Sequence, residues 1–171
     1  MQISINTVEL RNIGIRLKDM KAQILFYLPF FMSNLFVTAF ICWSDGTQRK
    51  ISNRINKTVL FTNAVAALCY GFIWDSVPFA VGGFVILLLL WLLGVFGAGD
   101  VKLLSAFLVG IKPDLLFPTL IMIGLLGGVQ LVVMTIWYKS KKLPMFENGI
   151  PYGIPISLSC FVFATLSALS S

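Results

Sequence analysis

Val77 to Phe96 contains no charged side chain and is dense in Leu, Val and Phe. A helix of about 20 apolar residues, rising 1.5 Å per residue, crosses the roughly 30 Å hydrocarbon core of a bilayer. In lipid every backbone N–H and C=O must be satisfied within the segment, so such a run has little choice but helix. Five further stretches read the same way: about Ile24 to Trp43, Thr58 to Trp74, a short one from Val101 to near Ile111, Leu115 to Tyr138, and Ile150 to about Ala168. The expected fold is all-α, a polytopic membrane protein with about six transmembrane helices. With 58% hydrophobic and 12% charged residues, the composition is not that of a soluble domain.

Two units are expected, an amphipathic N-terminal tail over 1–21 and a six-helix membrane domain over 22–171. In the tail Leu10, Ile13, Leu17, Met20 and Ile24 recur at helical spacing, with Arg11, Arg16, Lys18 and Lys21 between them. That pattern suits a short helix lying on a membrane surface, and no small-residue cleavage site follows to make it a signal peptide. Pro29 is expected in the first turns of the first span, where its missing N–H does least harm. Asp75-Ser76 is expected to connect the second and third spans, and Lys112-Pro113-Asp114 the fourth and fifth. Gly124 and Gly128 have the spacing for close helix packing.

The net charge of +6 lies in short loops between apolar runs, which excludes a nucleic-acid footprint on a solvated face. It carries topology instead. With six spans, Arg49, Lys50, Arg54, Lys57, Lys102, Lys139, Lys141 and Lys142 share one side and only Lys112 marks the connections opposite. The positive-inside rule makes the loaded side cytoplasmic, with the tail's basic residues running against the rule. Cys42, Cys69 and Cys160 are far apart, and the chain has no His. Neither a metal nor a cofactor is expected, and any catalysis must rest on carboxylates.

Two carboxylates stand out. Asp100 ends Gly97-Ala98-Gly99-Asp100, which interrupts two apolar runs, and it is placed to cap the following helix. Asp45 opens the sizeable polar segment after the first span. Arg49 and Asn53 follow it by four and eight residues, which on a continuing helix would set both near its face. The other acidic residues read as bland: Asp75 and Asp114 in external turns, Glu147 in a solvated loop, Glu9 and Asp19 in the tail. Asn63, inside the second span, could bond between helices or line the site, and the first reading is preferred. Two carboxylates meeting at a membrane interface are what aspartyl hydrolysis requires. Close like charges do not both ionise easily, so the pair holds one proton, with one member acting as base and the other as acid.

These residues resemble the type IV prepilin peptidases, near the small kind associated with tight-adherence pili and the archaeal preflagellin peptidases. The family's first motif, an Asp followed by basic residues and Ile-Pro-Asn, reads here Asp45…Arg49-Lys50-Ile51-Ser52-Asn53. Its second, Gly-x-Gly-Asp followed by a Lys, reads Gly97-Ala98-Gly99-Asp100-Val101-Lys102, and a Pro-Tyr-Gly opening the last helix reads Pro151-Tyr152-Gly153. Ser52 departs from the family's Pro. The resemblance implies Asp45 and Asp100 as the catalytic pair, with Gly97, Gly99, Arg49, Asn53, Pro151, Tyr152 and Gly153 binding substrate or shaping the site. It implies an aspartic endopeptidase of the inner membrane, without metal or cofactor. Its partners would be a prepilin-like protein with an N-terminal hydrophobic helix, and membrane lipid. The zinc-binding insert of larger members has no room here, so peptidase activity alone is expected. Two other classes compete: a small transporter or channel using Asp100 for protons or cations, and a non-catalytic subunit of a pilus or secretion machine.

Overall fold

A break after Gln48 sets the architecture. The computed structural model describes residues 7–49, 51–94, 96–141 and 150–171, with side chains of the first helix described from Leu25 onward. Six helices follow in the expected order: α1 Thr7–Gln48, α2 Asn53–Cys69, α3 Ile73–Leu92, α4 Ala98–Leu108, α5 Pro113–Lys141 and α6 Gly153–Leu169. Among the described residues there is no strand. The side chains of the tail, Glu147, Lys50 and Lys142 lie outside the described residues.

Several boundaries differ from the sequence reading. The first helix is continuous from Thr7 through Gly46 to Gln48, so Pro29 lies inside it rather than in its first turns. The second and third helices are joined by Tyr70-Gly71-Phe72, not by Asp75-Ser76. Gly71 N–H donates to Leu68 O at 3.2 Å and Phe72 N–H to Ala67 O at 3.0 Å, with Gly71 at φ +81°. This pair of bonds is a Schellman ending, and the positive φ explains the glycine. Asp75 therefore falls in the first turn of α3.

α4 is the core. Its Val101, Leu103, Leu104, Ala106, Phe107 and Leu108 are buried, packed within α2, α3 and α6. Ile41, Val59, Leu87, Ile123, Ile156 and Cys160 from the surrounding helices complete the cluster. Eleven residues make α4 only about 16 Å long, near half a hydrocarbon core. Leu25–Gln48, Ile73–Leu92 and Pro113–Lys141 are long and apolar enough to cross a membrane, whereas α6 is a shorter apolar helix. Their outward faces carry exposed Leu89, Leu92, Phe117, Val132 and Ile136, an apolar surface far larger than a soluble monomer tolerates. This is a membrane protein.

The bundle has two distinct ends. At one, Lys112 N–H donates to Ser167 Oγ at 2.9 Å, its ammonium donates to Ser170 O at 2.8 Å, and the same ammonium lies 5.6 Å from the Phe72 ring centre. At the other end gather the end of α1 and the starts of α2, α4 and α6.

The glycines of α5 do not pack as their spacing implies. A Cβ on Gly124 or Gly128 would meet nothing within 4 Å, whereas one on Gly127 would lie 3.3 Å from Tyr152 Cε1. Asn63 likewise makes no helix-to-helix hydrogen bond: its Nδ2 donates to Val59 O of its own helix at 2.9 Å. Its side chain packs on Gly110, where a Cβ would stand 2.7 Å from Asn63 Cγ and 2.8 Å from its Cβ. Gly110→Ala should therefore destabilise the bundle by about 1–3 kcal/mol through overpacking. Gly124→Ala and Gly128→Ala should leave the melting temperature in detergent within about a degree of the parent, since open space surrounds both.

Candidate active site

Asp45 sits one turn before the end of α1, with Arg49 N–H donating to its carbonyl oxygen at 3.2 Å. The chain then turns through Arg49 at φ +51°, a left-handed conformation uncommon for a residue with a Cβ. The Arg49 guanidinium donates through Nη2 to Tyr138 Oη at 3.1 Å, which ties this turn to α5. Ser52 then caps α2: at φ −72° and ψ 150°, its Oγ accepts from Ile55 N–H at 3.3 Å. Ser52 thus supplies a good helix N-cap straight after the turn.

That break moves Asn53. It is not eight residues along the helix of Asp45 but the first residue of α2. Its Oδ1 accepts from Lys102 Nζ at 3.2 Å, so the Asn of the first motif is bonded to the Lys of the second. Lys102 is thereby tied to the start of α2.

Asp45 is 6% exposed. The opening N–H groups of α6, those of Gly153 and Ile154, face its carboxyl group, where the positive end of a helix dipole favours negative charge. Oδ2 of Asp45 has no hydrogen-bond partner. Gly153 is required by closeness: a Cβ there would stand 2.7 Å from Asp45 Oδ2 and 2.8 Å from Ile51 Cδ1.

Asp100 belongs to the third position of α4 and is not its cap; Gly97 is the N-cap, at φ −71° and ψ 141°, without a side-chain hydrogen bond. The carboxylate folds back over Gly97, where a Cβ would lie 2.9 Å from Asp100 Oδ2. Asp100 is half-buried and within electrostatic reach of Asp45. Gly99 is different: a Cβ there would meet Ile51 Cβ at an ordinary 3.9 Å. Ile51 thus touches both the glycine-aspartate turn and Gly153, joining all three motifs.

Pro151 and Tyr152 do not reach the carboxylates directly. Pro151 O accepts from Gln130 Nε2 at 2.8 Å, and the Tyr152 ring is wedged between Gly127 and Phe96, 6.4 Å from the latter's ring centre. They hold the start of α6 against α5 and thereby aim its N–H groups at Asp45. Gln130, Tyr138 and Ile51 were not singled out as site residues from sequence. Beside the pair, a cavity of about 670 Å³ is lined by Trp43, Ser44, Arg49, Ile51, Ser52 and Gly99. Ser44 and Gly99 are the chain neighbours of the two aspartates, so the cavity adjoins the segments that carry them.

The model of the type IV leader peptidase family matches residues 32–146, more than half of the chain and inclusive of both aspartates. Comparison with curated proteins and with solved structures gives no significant match. α6, which supplies the N–H groups facing Asp45, lies beyond the matched stretch. With Asp45 and Asp100 gathered from separate helices inside the matched region, the chain belongs to the type IV leader peptidase family.

Proposed function

We propose that this peptidase is an aspartyl endopeptidase of the Gly-x-Gly-Asp kind. Its substrates would be type IV prepilin-like proteins, from which it removes the basic leader at the cytoplasmic face of the inner membrane. The observation that carries the reading is the convergence of Asp45 and Asp100 from α1 and α4 beside a cavity. In the reaction the ionised aspartate takes a proton from water as the water oxygen bonds to the peptide carbonyl carbon. The protonated aspartate gives its proton to the carbonyl oxygen, leaving a neutral tetrahedral diol. Collapse breaks the C–N bond as one aspartate gives its proton to the leaving amine and the other takes a proton from a diol hydroxyl, which restores the shared-proton pair. The N–H groups of Gly153 and Ile154 orient Asp45 throughout, and Gly97 leaves the space that Asp100 needs.

The cytoplasmic assignment rests on charge: Arg49, Arg54, Lys57, Lys102, Lys139 and Lys141 belong to the site end and Lys112 to the other. A site there meets its substrate where a basic leader gives way to a membrane helix. A glycine at the scissile bond suits close approach of an extended backbone to the buried carboxylate.

Incubating the purified protein with a prepilin-like substrate and sequencing the new N-terminus tests the reading. Cleavage should fall immediately after the leader's glycine. Replacing that glycine with a bulky residue should slow processing on the order of a hundredfold, the scale of a 1 Å misplacement of reacting atoms. Absence of any cut in the substrate, or undiminished processing of the bulky variant, would contradict the proposed specificity.

A further inference from the structure

A second cavity, of about 520 Å³, lies between α2 and α3 with α4 as its floor. Leu60, Val77, Ala80, Val81, Phe84 and Val109 give it apolar walls. Leu60, Val81 and Phe84 are exposed, so the slot opens onto the apolar outside of the bundle. Its end nearest the catalytic motifs is chemically different. Lys57, Lys102, Asn53 and Asn56 line it there, and no acidic side chain does.

Asn56 is the second, independent sign of a ligand. It is 8% exposed, and neither its Nδ2 nor its Oδ1 has a hydrogen-bond partner. Leaving a buried amide unpaired carries a desolvation cost, so it marks a place where a polar group belongs. Lys102 spends one donor on Asn53, and an ammonium has three. Lys57, the next residue of α2, is exposed and lines the same cavity. From Lys102 to Val109 the floor runs about 10 Å along α4, apolar below the cationic end.

A ligand that fits has an anionic, hydrogen-bonding head joined to a hydrocarbon tail, and the surrounding bilayer supplies that chemistry. We infer that the α2–α3–α4 slot binds an anionic phospholipid, its phosphate held by Lys57, Lys102 and the Asn56 amide and one acyl chain lying along the apolar walls. The site is separate from the aspartate pair, although Lys102 and Asn53 link the two through the motifs they belong to.

The full chain, purified in neutral detergent with equal phosphatidylglycerol and phosphatidylcholine of matched chains, would be examined by native mass spectrometry for retained lipid. The wild type should retain phosphatidylglycerol in preference by on the order of tenfold, as two basic residues at an anionic headgroup imply. Lys57→Gln with Lys102→Gln should abolish the preference, and Lys57→Gln alone should lower it severalfold. Lys139→Gln with Lys141→Gln, an equal charge loss at the same end, should leave it unchanged. Millimolar inorganic phosphate should not displace the lipid. Equal retention of the two lipids, an equal loss in the Lys139/Lys141 control, or complete displacement by phosphate would overturn the assignment. So would displacement by a peptide carrying only a substrate's hydrophobic helix, which would give the slot to the substrate.

Discussion

Gly153→Leu should lower leader removal by on the order of a hundredfold while the protein still inserts and accumulates. The reason is steric. A Cβ at position 153 would stand 2.7 Å from Asp45 Oδ2, 2.9 Å from its Cγ and 2.8 Å from Ile51 Cδ1, closer than carbon tolerates. Asp45 is buried and has little room, so its carboxyl group must rotate away from the N–H groups of α6. A displacement of about 1 Å at a reacting group costs on the order of a hundredfold in rate. Gly97→Ala should do less damage, because Asp100 is half-buried and its oxygen can swing from the 2.9 Å contact. Gly99→Ala should be nearly silent, its Cβ meeting only Ile51 at 3.9 Å. Initial cleavage rates on one prepilin substrate, normalised to membrane-inserted protein, check the order Gly153, Gly97, Gly99. Equal sensitivity of Gly99 and Gly153 would contradict this geometry.

The apolar runs made the six-helix architecture legible, because a charge-free stretch in lipid has one economical conformation. Their ends were less so. In the run through Tyr70, Gly71 and Phe72 no charge interrupts the pattern, and the turn is written only in the positive φ that a glycine accepts. Asp75 is a conspicuous charge and drew the boundary to itself, although it lies in the first turn of α3. The pair of aspartates was legible because acidic residues are costly at span ends and both fell on one side by counting. Their supporting contacts were not. Gln130 holding Pro151, and Tyr138 holding Arg49, join residues 21 and 89 positions apart, which no local pattern announces. Gly124 and Gly128 show the converse: spacing places glycines on one helix face but does not say whether a neighbour stands there.

The second large effect concerns the aspartates themselves. Asp45→Asn and Asp100→Asn should each reduce cleavage by at least on the order of a thousandfold, within the range removal of general acid–base catalysis produces. Asparagine keeps nearly the size and hydrogen-bonding capacity of aspartate, so folding and insertion should survive. It can neither accept the water's proton nor share one with the remaining carboxylate. Asp75→Asn and Asp114→Asn should stay active, since both residues line a cavity with Lys112 at the opposite end of the bundle. A transporter built on Asp100 gives no strong reason for Asp45, and an assembly subunit requires neither.

In the proposed mechanism the two carboxylates act as one unit, so their losses should not add. The most direct measurement is therefore the rate of prepilin cleavage by the two single variants and the Asp45→Asn/Asp100→Asn double variant, at matched membrane levels. Both singles should run near background, and the double should be hardly slower than either. Near-normal turnover by Asp45→Asn, or single losses that multiply in the double, would contradict the two-aspartate mechanism.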